Sequence, residues 1–186
     1  VDYIGLSSSE LHGRNFDQET SRSAVGQPIG SFFVYEADGL FQSDAEIQNY
    51  KNDRGELLQP NAKPGDIRFK DLNGDGVINS DDRDFKGNPL PDCSMGLTLG
   101  FNYKNFDVSA FFQGVFGNEV YNLTNYLGEF YNQAQYNKNS TILDAWRPDN
   151  TDTDIPRVTL DDPNNNIRPS TYYIHNASFV RLKNLK

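Results

Sequence analysis

Between Cys93 and Phe116 the chain alternates with a strict period of two. Met95, Leu97, Leu99, Phe101 and Tyr103 are separated by Gly96, Thr98, Gly100 and Asn102, so an extended strand would place every large apolar side chain on one face. After Lys104-Asn105 the pattern resumes with Phe106, Val108, Ala110 and Phe112, opposed by Asp107, Ser109, Phe111 and Gln113. The pattern predicts a β-hairpin whose arms are about 9–11 residues long, the length at which a tilted strand crosses a bilayer. A soluble sandwich could use the same hairpin.

What surrounds it narrows the choice. Ile29–Tyr35 reads as a strand, and Tyr172–Leu185 contains another. Long polar stretches rich in Gly, Pro, Asn and Asp separate each from the hairpin. The expected order is strand, long loop, strand, tight turn, strand, long loop, strand. Run up and down, this puts both long loops on one side and the tight turn on the other, the asymmetry of outer-membrane barrels. Structureless loops of this length are anomalous in a compact soluble domain. Helical signals are few: Ser43 is placed to cap a short helix through Tyr50, and a second short helix is expected around Ile142–Trp146.

Composition removes several classes. The formal net charge is −9 and no basic run is present, which argues against nucleic acid as a partner. A lone Cys93 excludes an intrachain disulfide, and one Cys with two His offers no zinc-finger spacing. No apolar run of transmembrane-helix length occurs. Hydrophobic residues make up only 36% of the chain, yet aromatics reach 13%, which argues for a folded protein. The sequence begins at Val1, has its single Met at position 95 and ends within a strand pattern, so it is expected to be a piece of a larger or processed protein.

One motif points to specific chemistry. Asp71-Leu-Asn-Gly-Asp-Gly-Val-Ile-Asn-Ser-Asp-Asp82 has the spacing of an EF-hand-type loop. Asp71, Asn73 and Asp75 supply oxygens at the first, third and fifth positions, and Gly76 sits at the sharp turn. Val77 would offer its carbonyl, Ile78 an apolar anchor, Asn79 a direct or water-mediated contact, and Asp82 the closing carboxylate, with Asp81 as a substitute. A hard cation needs six to eight oxygens, which so short a segment collects only by converging carboxylates. No amphipathic helix pair flanks the loop, so a structural calcium is expected rather than a signalling switch.

Other constellations carry less. His12 and His175 have no nucleophile motif around them, and no two carboxylates are marked as a glycosidase pair. Trp146 could stack on a sugar ring, but a loop anchor against Arg147 or Pro148 is the simpler reading. Tyr121, Tyr126, Phe130, Tyr131 and Tyr136 suit either a ligand surface or the core of a folded loop. Sequons at Asn122, Asn139 and Asn176 matter only in a eukaryotic secreted protein.

Several stretches resemble the SusC/RagA-like TonB-linked outer-membrane transporters of Gram-negative bacteria. They are Val25–Gln42 (with Ile-Gly-Ser-Phe-Phe-Val-Tyr), Pro64–Asn79 (with Asp-Leu-Asn-Gly-Asp-Gly), Gly87–Asp92, Phe106–Asn118, Trp146-Arg-Pro, Thr151–Arg157 and Phe179–Asn184. The resemblance implies an all-β fold: part of a large antiparallel transmembrane barrel, 22-stranded in the family, with long extracellular loops. Residues 1–24 would be a polar strand or loop lead-in, and 25–186 part of the barrel, carrying the calcium-type loop 71–82 and a second long loop over 117–171. It implies import of glycans or peptides, with a SusD-like surface lipoprotein as lid and energy from the TonB complex through a part of the receptor outside this chain. The expected function is therefore transport and not enzymology, in the outer membrane. The alternatives are a soluble secreted β-rich carbohydrate-binding module with a structural calcium, and a glycan-cleaving enzyme.

Overall fold

The computed structural model describes residues 20–129 and 137–186. Among these residues, ten strands and a few short helical turns fall into two regions of opposite character.

The first region is an antiparallel sheet in the order β10-β7-β6, formed by β6 (Cys93–Tyr103), β7 (Phe106–Phe116) and β10 (Phe179–Leu185). β6 and β7 are 11 residues each and pair without a slip from Cys93↔Phe116 to Tyr103↔Phe106. Only Lys104 and Asn105 separate them, and Lys104 takes the left-handed conformation (φ 53°) that lets so short a turn close. The expected hairpin is present in register. Leu97 lies opposite Phe112, Leu99 opposite Ala110 and Phe101 opposite Val108, while Leu182 of β10 joins the row at Phe112. Leu97 is 53% exposed and Phe101 63%. The other face carries Gly96, Thr98, Gly100, Ser109 and Gln113, with Phe111, Val115 and Phe179 among them. A sheet with one apolar and one polar face, both uncovered, suits a barrel wall between lipid and an aqueous lumen. No helix among the described residues is long and apolar enough to cross a membrane.

The second region is a lobe with its own core. Its strands are β1 (Ser21–Arg22), β2 (Ser31–Tyr35), β3 (Ala37–Leu40), β4 (Ile67–Phe69), β5 (Arg83–Gly87), β8 (Glu119–Tyr121) and β9 (Ile174–Asn176). They form three small sheets, β1-β2-β5, β3-β4 and β8-β9. Two short α-helices, α1 (Asp44–Asn49) and α2 (Leu123–Gly128), complete it with three 3₁₀ turns. Tyr35, Leu40, Ile67, Phe69, Trp146 and Tyr173 form the main core cluster, and Phe41, Ile47 and Ala62 a second. Ser43 caps α1 as its sequence requires: its Oγ accepts from the Glu46 N–H at 3.3 Å, and Glu46 Oε2 accepts in return from the Gln42 N–H at 2.9 Å.

Two expectations need correcting. Ile29–Tyr35 is not a barrel strand; β2 pairs with β1 and β5 inside the lobe. Its Ser-Phe-Phe-Val-Tyr sequence lacks alternation, and Ser31, Phe32, Val34 and Tyr35 are all buried, so both faces are covered, which a wall strand cannot allow. Nor are the two long polar stretches structureless, because they fold together into the lobe. The loop asymmetry itself stands. Both stretches leave the same end of the sheet, tied by Asp92 N–H to Phe116 C=O (3.0 Å), Glu119 N–H to Asn88 C=O (2.8 Å) and Ala177 N–H to Asn118 C=O (3.0 Å). The lead-in over residues 1–24 lies within the described residues only from Thr20 onward.

Apolar contact alone does not join the two stretches. Asp66, fully buried, accepts from Arg157 Nε (2.7 Å) and Nη2 (3.1 Å), from Asn166 Nδ2 (2.9 Å) and from the Lys63 N–H (2.8 Å). Around it, side-chain amides serve the backbone of β4 on the side away from β3. The Ile67 N–H donates to Asn166 Oδ1 (2.8 Å), the Phe69 N–H to Gln59 Oε1 (2.8 Å), and Ile67 C=O accepts from both Gln59 Nε2 and Asn164 Nδ2 at 3.0 Å. Every polar group this arrangement buries is thereby paired, which is the condition for burying it at all.

Candidate metal-binding loop

The segment from Asp71 to Asp82 leaves β4 and reaches β5 through a 3₁₀ turn, Ser80–Asp82. Asp71 Oδ1 accepts from the Gly74 N–H (2.7 Å) and Oδ2 from the Gly76 N–H (2.8 Å). Asp75 Oδ1 accepts from the Val77 N–H (2.9 Å). Its Oδ2 receives Asn73 Nδ2 (3.1 Å) and Asn79 Nδ2 (3.2 Å). Asn79 Nδ2 also reaches Val77 C=O at 3.4 Å. At the closing position Asp82, fully buried, takes the Leu72 N–H on Oδ1 (2.9 Å) and the Asn79 N–H on Oδ2 (2.7 Å). Five of the six positions singled out by spacing are therefore hydrogen-bonded to one another, while Asp71 holds the backbone of Gly74 and Gly76 between them. Gly76 has φ 87°, and a Cβ there would stand 2.7 Å from Asn52 Nδ2, so both conformation and space demand glycine. Ile78 is partly buried against the main core cluster, as an anchor should be, while Asp81 is exposed and Asp82 is the carboxylate that closes the loop.

Electrostatically the loop concentrates negative charge and answers it with backbone. The Val77 N–H, then the Asn73 and Asn79 amides, hold the Asp75 carboxyl below its ordinary range. Each Asp71 oxygen, with one donor, keeps a further lone pair. Carboxylate, carbonyl and amide oxygens are the donor chemistry of a hard divalent cation. Among the described residues no three His, Cys, Asp or Glu side chains are placed to hold a metal by themselves. A cation at this loop would thus depend on the Val77 carbonyl and on Asn73 and Asn79 as much as on the acids.

The remaining sequence candidates resolve into structure. Trp146 is 8% exposed, and its Nε1–H donates to Gln42 Oε1 at 2.9 Å. It is an anchor, as the simpler reading held, and its ring packs on Gly65 beside Arg157. A Cβ on Gly65 would come within 2.5 Å of that ring. Tyr121 packs at a tilt between Phe32 and Tyr173, against the main core cluster. His175 is exposed on β9. His12, Phe130, Tyr131, Tyr136 and the side chain of Tyr126 lie outside the described residues. Asn122 caps α2 through the Asn125 N–H (3.2 Å), and Asn176 Oδ1 accepts from the Ser178 N–H (2.8 Å). The network of Gln59, Asp66, Arg157 and Asn166 escaped sequence reasoning, since Asp66 and Asn166 are 100 residues apart and no spacing rule joins them.

No family model matches the chain. Over its whole length it is 35% identical to TonB-dependent receptor P26 of Formosa agariphila, of which it spans 18%. It is 29% identical to TonB-dependent receptor SusC of Bacteroides thetaiotaomicron, with 98% of the chain matched to 15% of that receptor. The chain thus spans less than a fifth of the length of these curated relatives. Among solved structures it superposes on the RagAB peptide importer in its closed-closed state with a TM-score of 0.63 at 23% identity, covering 100% of this chain and 18% of that one. That likeness places the uncovered sheet and the lobe within one known architecture.

Proposed function

The chain is a segment of a SusC/RagA-like TonB-dependent receptor of the Gram-negative outer membrane, and from that premise we propose that it helps import oligomeric nutrients. The sheet supplies wall strands of the barrel, and the lobe stands over its outer mouth. The observation that carries this reading is the junction: two long stretches leave one end of an apolar-faced sheet and fold on a shared core, while the other end is closed by a two-residue turn. A folded lobe at that position borders the path of an entering solute and offers a seat for a SusD-like lipoprotein lid. The cargo is a glycan or a peptide, and TonB drives release through a part of the receptor outside this chain. The named relatives are receptors and importers rather than enzymes. A soluble module would leave the apolar row from Met95 to Tyr103 facing water.

Calcium completes the reading. A divalent ion held by Asp71, Asn73, Asp75, the Val77 carbonyl, Asn79 and Asp82 would neutralise a cluster of carboxylates and stiffen the lobe. The ion supplies charge and no chemistry. The test of transport is a receptor-deletion strain of the native host given fluorescent oligosaccharides and peptides. Loss of uptake for one class, restored by the full-length receptor, is the expected result. Unchanged uptake of every class would overturn the proposal.

A further inference from the structure

The polar face of the sheet carries a group of side chains that neither lipid nor lobe engages. Phe111 lies across Gly96: a Cβ on that glycine would be 3.0 Å from Phe111 Cε2, so only glycine lets the ring settle there. Toward the lobe, Arg181 of β10 lies opposite Gln113, with its Nη2 3.4 Å from Gln113 Oε1 and its guanidinium 4.9 Å from the centre of the Phe179 ring. Arg68, Arg147 and Arg157 each have a carboxylate partner, whereas among the described residues Arg181 has none. Ser94, Val115 and Asn184 beside it on this face are uncharged, and Lys183, two residues along β10 at the bulge, adds a second positive charge. Asp107 stands on the same face but six residues along β7 from Gln113, about 20 Å away.

We propose that Arg181, with Gln113, Phe111 and Phe179 beside it, forms a subsite on the inner wall of the barrel that binds a carboxylate-bearing solute on its way through. The proposal rests on the reading that this face lines the lumen. A guanidinium without a carboxylate partner, with the Lys183 ammonium two residues along the strand, is complementary to an incoming anion. Its planar fork matches a carboxylate in two parallel hydrogen bonds. The two aromatic rings offer apolar surface to the body of the same solute, whether sugar ring or side chain.

The full-length receptor is titrated calorimetrically with tetragalacturonate and with N-acetylated, C-amidated tetraglutamate, each against its neutral counterpart, the full methyl ester and the N-acetylated, C-amidated tetraglutamine. At least one carboxylate probe should bind, and Arg181→Gln should weaken it about tenfold while leaving the neutral probe unchanged. Arg181→Lys should restore part of the loss. Which of the two probes responds assigns the source of the carboxylate. Equal binding of charged and neutral probes, no binding of either carboxylate, or indifference to Arg181→Gln overturns the subsite. The face assignment is checked separately in a Cys93→Ser background, using a hydrophilic maleimide on intact cells. Thr98→Cys should be labelled and Leu97→Cys protected; the reverse would sink the lumen reading itself. Labelling at Thr98→Cys with protection at Arg181→Cys would show the wall covered at Arg181 and end this proposal alone.

Discussion

The sheet and the lobe use the same apolar residue types for opposite ends. In the sheet, Leu97, Leu99 and Phe101 stand in a row that none of the described residues covers, as the lipid-facing side of a barrel wall would. In the lobe, Phe69, Val34 and Tyr173 are wholly buried, matched to one another and excluded from water. Polar residues invert likewise. On the sheet they face the solvent side, while in the lobe Asp66, Asn166 and Gln59 lie in the interior, hydrogen-bonded to backbone, to Arg157 and Asn164, and to one another. Local pattern governs the first region and long-range satisfaction the second.

That contrast can be broken most forcefully in the lobe. Phe69→Ala empties a fully buried site and should cost about 3–5 kcal/mol. Asp66→Ala strands Arg157 and Asn166 and should cost about as much, on the order of 3–5 kcal/mol. Either should expose the lobe of the full-length receptor to protease while the barrel keeps its anomalous migration in unheated gels. Barrel collapse together with the lobe would mean that the regions are not separable. In the sheet, Leu99→Arg should cost about 2–4 kcal/mol of bilayer stability, and Gly100→Arg on the opposite face far less. Equal effects would contradict two-faced exposure.

A finer contrast lies inside the lobe. Asp71→Ala or Asp75→Ala should loosen the 71–82 segment and abolish protection by calcium against limited proteolysis, with the barrel intact. The same digestion rate with calcium and with chelator would remove the ion from the picture. Smallest is the effect of pH on the surface cluster where Lys70 and Lys86 donate to Glu36. Those hydrogen bonds hold the Glu36 carboxyl below its ordinary 4.5 and raise both ammonium groups. The carboxylate's contribution is therefore present above that value and lost as pH falls through its lowered pKa, while the lysines' contribution fades only at strongly alkaline pH. Glu36→Gln should flatten the acid limb of the lobe's melting curve slightly, and an unchanged limb would discount the cluster.

What was legible follows from the same division. The hairpin could be read residue by residue, because a period of two decides the register of any strand with unlike faces. Ser43 and the tight turn of Asp71–Asp82 were legible because caps and Asx-rich turns are local chemistry. Ile29–Tyr35 misled because an apolar run without alternation fits any buried strand, and only its pairing with β5 says which sheet holds it. β5 itself, Arg-Asp-Phe-Lys-Gly, is too short and too charged to announce a strand. The anchor role of Trp146 was readable from type, but its seat on Gly65 was not, since it brings together residues from the two separate stretches.

The amides of Gln59, Asn164 and Asn166 bear on how such receptors live side by side. By filling the hydrogen-bonding positions along the free flank of β4, they leave no row of unpaired groups for a neighbour's strand to zip onto. On the proposal that the lobe stands over the outer mouth of the barrel, a membrane crowded with copies of one receptor is a setting in which edge-to-edge coalescence would be ruinous. Here three side chains have closed the seam from within, so density on the cell surface need not be limited by the stickiness of this strand.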